Sequence, residues 1–308
     1  MNKESFKTSI GGQALIEGVM MRGPDKTAMA VRLPDGGIDL EQWPTKKAKA
    51  WYRKAPFIRG GFNMIESLLM GYKCLMLSAE KAGIEEEEPG KFEKWLSKTF
   101  GKSLMSVMSV VAGVVGFGVA ILLFTVLPAF IVGLTGDTFS HTIVKSLVEG
   151  VLKISIFIGY MALVKLMPEI RRVYQYHGAE HKTIACYEAG EELTVENVRK
   201  KRRFHPRCGT SFILIVLIIS ILLFSVVTWN SILIRVILKI LLLPLVVGIA
   251  YEIIKLAGRY DNVITRMISA PGMWTQRLTT IEPDDDMIEV AIEAMKPTIP
   301  EEKGEDKW

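Results

Sequence analysis

Side chains that bind metals are concentrated in one polar stretch of the sequence, residues 168–210. Three of the four histidines and two of the three cysteines lie there, between two long apolar segments. The stretch contains the pattern His-x-x-Glu-His, formed by His177, Glu180 and His181. On a helix this spacing puts both imidazoles on one face, with a carboxylate beside them. Because inverted zinc peptidases use the same spacing, we predict zinc ligation by the two histidines and a general-base role for Glu180.

A second group of such residues, His205-Pro206-Arg207-Cys208-Gly209, directly precedes the next apolar segment. Proline breaks a helix, so the group is predicted to form a fixed turn at the membrane face. Either His205 or Cys208 could complete a three-ligand site with an open position, as catalytic zinc sites have. Mixed histidine and cysteine ligands also suit zinc better than magnesium or calcium.

The alternative interpretation of these residues is structural. The two helical histidines would then pair with acids on a solvated helix. His205 would lie at the membrane interface, and Cys208 would be a small residue at the start of a helix.

Glu252 is a further candidate, because an acid near the end of an apolar segment usually faces the interior of a helix bundle. It is expected at the same membrane depth as the histidines, so it could be a distant metal ligand. The alternative, which we favour, is an ion pair with Lys255 or Arg207.

The basic run Arg199-Lys200-Lys201-Arg202-Arg203 is predicted to anchor the membrane topology and to contact anionic head groups. Few aromatic residues are interleaved with this run, and the net charge is only +5. We therefore expect no nucleic-acid partner.

The elements that must position these residues are predicted to be membrane helices. Hydrophobic residues make up 49% of the chain, yet 23% of the residues are charged, so apolar and polar segments alternate. The mean hydropathy is +0.27. Two transmembrane helices are predicted within 104–167 and two within 211–257, because the apolar stretches there approach or exceed the ~30 Å hydrocarbon core. Their expected bounds are 104–133, 144–167, 211–229 and 232–256.

The distribution of loop charge predicts how the chain is oriented in the membrane. The loop at 134–143 contains no lysine or arginine, whereas the loop at 168–210 is rich in both. The positive-inside rule therefore puts the histidine-containing loop and both termini in the cytoplasm of a multi-pass cell-membrane protein. Three widely spaced cysteines do not make a disulfide framework, and we expect them to be reduced.

The N-terminal third of the chain is predicted to combine strands and surface helices. Residues 1–45 have strand-like composition, with a turn at Pro34-Asp35-Gly36-Gly37. Residues 46–100 are predicted to contain one or two amphipathic helices and a solvated acidic linker at 85–90.

The tail, residues 258–308, is predicted to be a second soluble piece. We expect a strand from Gln276 to Ile281, a helix capped by Asp284-Asp285-Asp286, and disorder from Glu301 onward. The fold class is thus an α-helical integral membrane protein with about four transmembrane helices. The N-terminal segment, the central loop and the tail are expected to form a small mixed α/β cytoplasmic domain.

Three sequence signatures resemble those of the YqhQ-like bacterial membrane proteins, a family of unknown function. The opening signature runs from Gly11-Gly12-Gln13-Ala14 to Gly23-Pro24, and the central one combines the segments at 177–183 and 205–212. The third signature is C-terminal and includes Thr279-Thr280 and Glu282-Pro283-Asp284-Asp285. The resemblance implies the same membrane architecture over nearly the whole chain. The family has been described as predicted metal-dependent enzymes, a description that rests on the same histidine and cysteine pattern.

Two functions follow as hypotheses. In the first, the protein is a zinc-dependent hydrolase at the cytoplasmic membrane face, acting on a peptide or lipid-linked substrate. In the second, it is a non-enzymatic transporter subunit or assembly factor, with a structural zinc site or no metal. The expected partners are the lipid bilayer and a second copy of the chain, since Gly113, Gly116 and Gly118 suit close helix packing.

Overall fold

The computed structural model describes residues 6–45, 55–83, 103–134, 142–226, 232–260, 262–302 and 304–308, which are mostly helical. The predicted acidic linker at 85–90 lies outside the described residues. The helices are α1 Ile58–Lys81, α2 Ser103–Ile121, α3 Leu127–Leu134, α4 Thr142–Val164, α5 Pro168–Glu188, α6 Val195–Arg199, α7 Gly209–Val226, α8 Ile232–Arg259, α9 Val263–Thr279 and α10 Asp285–Met295. A π-helical turn, Leu122–Val126, joins α2 to α3.

The predicted N-terminal β unit is a four-stranded antiparallel meander in the order β1-β2-β3-β4. The strands are β1 Gly11–Leu15, β2 Gly18–Arg22, β3 Lys26–Arg32 and β4 Ile38–Pro44. A two-residue turn at Ile16 and Glu17 divides the strand-like stretch from Gln13 to Arg22 into a hairpin. The predicted turn before β4 is present, and Gly36 occupies it with φ +87°, which favours glycine.

Three helices in the described part of the chain are long and apolar enough to cross a membrane. They cover Gly113–Leu134, Val144–Val164 and Ile237–Arg259. The segment predicted as another span, 211–229, lies largely in the apolar helix α7, which has 18 residues. At 1.5 Å per residue α7 is about 27 Å long, slightly less than a ~30 Å hydrocarbon core.

The N-terminal segment, the central polar loop and the tail share a hydrophobic core. Buried side chains of β2 and β3 meet buried side chains of α5 and α10, including Val19, Ala30, Ala179, Ile288 and Met295. The apolar face predicted for α10 is the buried one. Helix α1 is amphipathic, as expected, and leaves large apolar side chains such as Leu68 and Leu69 exposed.

Two predictions for the tail are wrong. The expected strand from Gln276 to Ile281 is the end of α9, which continues to Thr279. A capping box between Asn262 and Thr265 starts this helix, and its polar face is buried, so burial overrides the strand-like composition. The expected disorder at the end of the chain is also absent from the described residues 304–308. Lys307 forms a β-bridge with Thr8, and the Thr8 hydroxyl donates to the buried Asp306 (2.5 Å).

A charged cluster joins two of the membrane-length helices. Glu149 of α4 accepts from Lys153 at 2.7 Å and from Lys239 of α8 at 2.9 Å. The three side chains are only 11–12% exposed. Removing one member of such a buried ion pair leaves an uncompensated charge, which is strongly destabilising.

We therefore expect Glu149→Gln to lower the stability of the detergent-solubilised protein by about 3–5 kcal/mol. The measurement is the midpoint of thermal unfolding. Glu196→Gln is the matched control, since it breaks the exposed Glu196–Lys200 pair and should leave the unfolding midpoint nearly unchanged. Equal shifts in the two variants would contradict the structural role of the cluster.

Candidate metal centre

The central histidines lie on α5, so the helix predicted around them is present. Pro168 occupies its first turn, where a missing N–H is tolerated, and the helix ends at Glu188. His177 and His181 are one turn apart, and their ring centroids are 4.4 Å apart. The two imidazoles therefore share one face of the helix, as their spacing predicted.

Backbone carbonyls fix the orientation of both imidazoles. Nδ1 of His177 is 2.9 Å from the carbonyl oxygen of Thr279, and Nδ1 of His181 is 2.6 Å from that of Arg203. A carbonyl oxygen only accepts, so each Nδ1 carries the proton that it donates. Both Nε2 atoms are thereby free to bind a ligand when the rings are neutral, which is the usual arrangement of metal-ligating histidines.

The thiol of Cys208 completes the group. Its Sγ lies 3.2 Å from Nε2 of His177. One donor atom each from His177, His181 and Cys208 can be chosen so that all three lie within 4.8 Å of one another. Cys208 and His181 are buried, and His177 is partly exposed. The cluster is therefore least buried on the side formed by His177.

Electrostatic coupling favours the thiolate form of Cys208. Burial acts to raise the pKa of this thiol, but His177 and His181 outweigh burial and hold the pKa well below its ordinary value. The backbone N–H of Thr210, in the first turn of α7, also donates to Sγ at 3.4 Å. For His177, burial acts to lower the pKa, but the neighbouring thiolate raises it to about 9.

The donor set fits a zinc ion. Two imidazole nitrogens and one thiolate are ordinary zinc ligands, and tetrahedral bonds of about 2.0–2.3 Å place donors roughly 3.3–3.6 Å apart. In the cluster, Nε2 of His177 and Sγ of Cys208 are 3.2 Å apart, and all three donor atoms lie within 4.8 Å of one another. Three protein donors leave a fourth position for water or substrate, the pattern of catalytic rather than structural zinc sites.

Glu180 lies beside the cluster without belonging to the donor group. Its carboxylate is 5% exposed and accepts a hydrogen bond from the backbone N–H of Gly12. Burial raises its pKa, although the two histidines act in the opposite direction. A Cβ on Gly12 would lie 2.7 Å from Cγ of Glu180, so only glycine permits this approach. Gly12 of the opening signature therefore helps to hold the candidate base.

The side chain of His205 is directed to a different set of partners. Its Nε2 lies 3.6 Å from a carboxylate oxygen of Glu188 and 3.2 Å from the guanidinium of Arg207. Burial lowers the pKa of His205 despite the nearby acid, so the ring is held neutral. The side-chain amide of Gln276, on α9, holds the backbone of His205. Its oxygen accepts from the His205 N–H, and its nitrogen donates to the His205 carbonyl. Of the two residues proposed as third ligand, the structure groups Cys208 with the helical histidines.

Glu252 forms an ion pair, as we favoured, but with a partner that the sequence analysis did not name. Arg59 of α1 binds both carboxylate oxygens, and the backbone N–H of Phe57 donates to one of them. Neither Lys255 nor Arg207 is its hydrogen-bonding partner among the described residues. The pair joins α1 to α8, and Glu252 is not part of the donor group.

Four of the five side chains in the basic run, residues 199–203, form ion pairs within the protein. Arg199 binds Asp285, Lys200 binds Glu196, Lys201 binds Glu191, and Arg203 binds Glu282. The Arg199–Asp285 pair joins the end of α6 to the start of α10. The Arg203–Glu282 pair joins the loop before α7 to the segment that leads into α10. The run thus supports the site by fixing the backbone that carries the Arg203 carbonyl.

Comparison with known proteins identifies relatives without a known activity. The family described as "Protein of unknown function (DUF1385)" matches residues 55–301. "Uncharacterized protein YqhQ" of Bacillus subtilis (strain 168) is 37% identical over 297 residues, which are 96% of this chain and 93% of the relative. No solved structure matches. The family resemblance expected from the three signatures is therefore confirmed, and the chain belongs to the DUF1385 family of YqhQ-like proteins.

Proposed function

We propose that the protein is a zinc-dependent hydrolase at the cytoplasmic face of the cell membrane, with His177, His181 and Cys208 as the metal ligands. One observation carries this proposal. Two imidazoles whose Nδ1 atoms donate to carbonyl oxygens lie beside one buried thiolate, with a fourth polar group, Glu180, next to them.

Glu180 is proposed as the general base. Zinc held by the three ligands would supply a Lewis acid that polarises the scissile carbonyl. The Glu180 carboxylate would accept a proton from the attacking water and return it to the leaving group. A raised pKa makes a carboxylate a stronger base, and burial produces that shift here. Gly12 would keep the carboxylate oriented by its backbone N–H.

The proposed topology has four membrane spans, with α7 as the additional one. Both termini and the metal centre are then cytoplasmic, because the lysines and arginines are concentrated in the 168–210 loop. The centre would lie close to the membrane surface, since Cys208 directly precedes α7. A peptide or lipid-linked substrate presented at that surface suits this position.

The first test is the metal content of untagged protein purified in detergent. We expect about one zinc per chain in the wild type and none in the His177→Ala/His181→Ala double variant. Absence of zinc from the wild type, even after zinc is supplied, would remove the metal centre from the proposal.

The second test separates catalysis from metal binding. Glu180→Gln should retain zinc but lower hydrolysis by about 10²–10⁴-fold, because it removes the proton acceptor. Hydrolysis can be followed without a known substrate by ¹⁸O incorporation from labelled water into peptides or lipids of a membrane extract. Zinc bound without any incorporation in the wild type would favour the non-enzymatic alternative, a transporter subunit or assembly factor with a structural metal.

A further inference from the structure

A cleft of about 320 Å³ lies at the C-terminal end of α8. Three of the residues that line it are cations, Lys255, Arg259 and Lys307, and none is an acid. Lys7 adds a fourth cation at the same helix end, where its Nζ donates to the carbonyl of Gly258 at 3.1 Å. The carbonyl end of a helix favours such positive charges.

Three acids of the described residues near this helix end are engaged by other partners. Glu252 binds Arg59 with both carboxylate oxygens. Glu188 binds Arg207. Asp306 is buried and accepts from the hydroxyl of Thr8. The cleft therefore carries an excess of positive charge.

The Trp308 ring, which lines the cleft, is fixed in position. The guanidinium carbon of Arg207 lies over the Trp308 ring, 5.2 Å from the ring centroid. The backbone N–H of Trp308 donates to the carbonyl of Lys7 at 2.9 Å. A Cβ at position 258 would lie 2.9 Å from the indole Nε1, so Gly258 permits this close contact. The cleft is thus built by contacts between the N-terminal segment, the tail and α8.

Apolar side chains next to the cleft face outward. Leu256 is 54% exposed, and Val263 and Ile264 at the start of α9 are 73% and 68% exposed. The cleft itself follows the membrane-length segment Ile237–Arg259, which places it at the boundary between hydrocarbon and head groups. Cations and aromatic rings at that depth are typical of contacts with lipid head groups.

We propose that this cleft binds the phosphate head group of an anionic phospholipid, with the acyl chains against the exposed apolar residues of α8 and α9. The cations recognise the phosphate, and the adjacent apolar surface selects a lipid over free phosphate. This inference does not depend on the metal centre or on hydrolase activity.

The test measures binding of dioctanoyl phosphatidylglycerol to the full-length protein in a neutral detergent, with dioctanoyl phosphatidylcholine and inorganic phosphate as the other ligands. The cleft variant is Lys255→Gln/Lys307→Gln. The control Lys200→Gln/Lys296→Gln removes the same charge from two exposed lysines that do not line the cleft. Lys200 pairs with Glu196, and Lys296 pairs with Glu293. Thermal unfolding without lipid checks that all three proteins are folded.

We expect the wild type and the control to bind phosphatidylglycerol equally and much better than phosphatidylcholine. The cleft variant should bind it about 25-fold more weakly, since each lysine near an anionic head group contributes a factor of roughly five. Lys255→Arg/Lys307→Arg should restore binding. Equal binding by the cleft variant and the control would overturn the proposal. So would inorganic phosphate binding as tightly as the lipid, because the ligand would then be free phosphate.

Discussion

Replacing Cys208 with alanine is expected to weaken zinc binding by about 100-fold or more, whereas His205→Ala should change it by less than about threefold. Structural zinc sites with four ligands bind with roughly 10–16 kcal/mol, so one ligand contributes on the order of 3 kcal/mol. Only the thiol of Cys208 lies in the donor group with His177 and His181. The imidazole of His205 is directed to Glu188 and Arg207 instead.

The measurement is a zinc titration in competition with a chromophoric chelator. Cys186→Ala is the matched control, because Cys186 is also a buried free thiol but donates to the carbonyl of Glu192. It should retain wild-type affinity. If His205→Ala loses zinc while Cys208→Ala keeps it, the assignment of the third ligand is wrong.

The spacing within α5 was sufficient to predict the helical part of the site. Side chains four residues apart share a helix face in any sequence context, so His177 and His181 had to lie together once the helix formed. The choice between His205 and Cys208 was not predictable in this way. Both belong to an irregular turn, and a side chain 71 positions away, Gln276, holds its backbone in place.

Long-range backbone contacts also could not be predicted from sequence patterns. The paired glycines at positions 11 and 12 belong to the opening signature, but nothing local indicated that Gly12 would donate to Glu180. Thr279 was predicted to lie in a strand. It is instead the last residue of α9, and its carbonyl accepts a hydrogen bond from the His177 ring. The signal that could have corrected this prediction is the capping pair Asn262 and Thr265 at the start of the helix.

Gly178 links the stability of the fold to the geometry of the metal centre. A Cβ at this position would overlap the carbonyl oxygen of Ile281 and would lie 3.4 Å from Cδ of Pro283. The carbonyl cannot easily retreat, because the Ile281 N–H donates to the carbonyl of Tyr174 at 2.9 Å. Two residues before Ile281 lies Thr279, whose carbonyl orients the ring of His177. Any shift that relieves the overlap therefore disturbs a zinc ligand.

We expect Gly178→Ala to destabilise the protein by about 1–3 kcal/mol through overpacking. It should also weaken zinc binding by roughly 10–100-fold, the usual effect of losing a hydrogen bond that orients a metal-ligating histidine. Thermal unfolding and the zinc titration measure the two effects separately. The control is Gly61→Ala in α1, where a Cβ would meet nothing within 4 Å. That variant should be as stable as the wild type or slightly more stable, because alanine favours a helix by about 1 kcal/mol. Unchanged zinc affinity in Gly178→Ala would show that the Thr279 carbonyl does not control the orientation of His177.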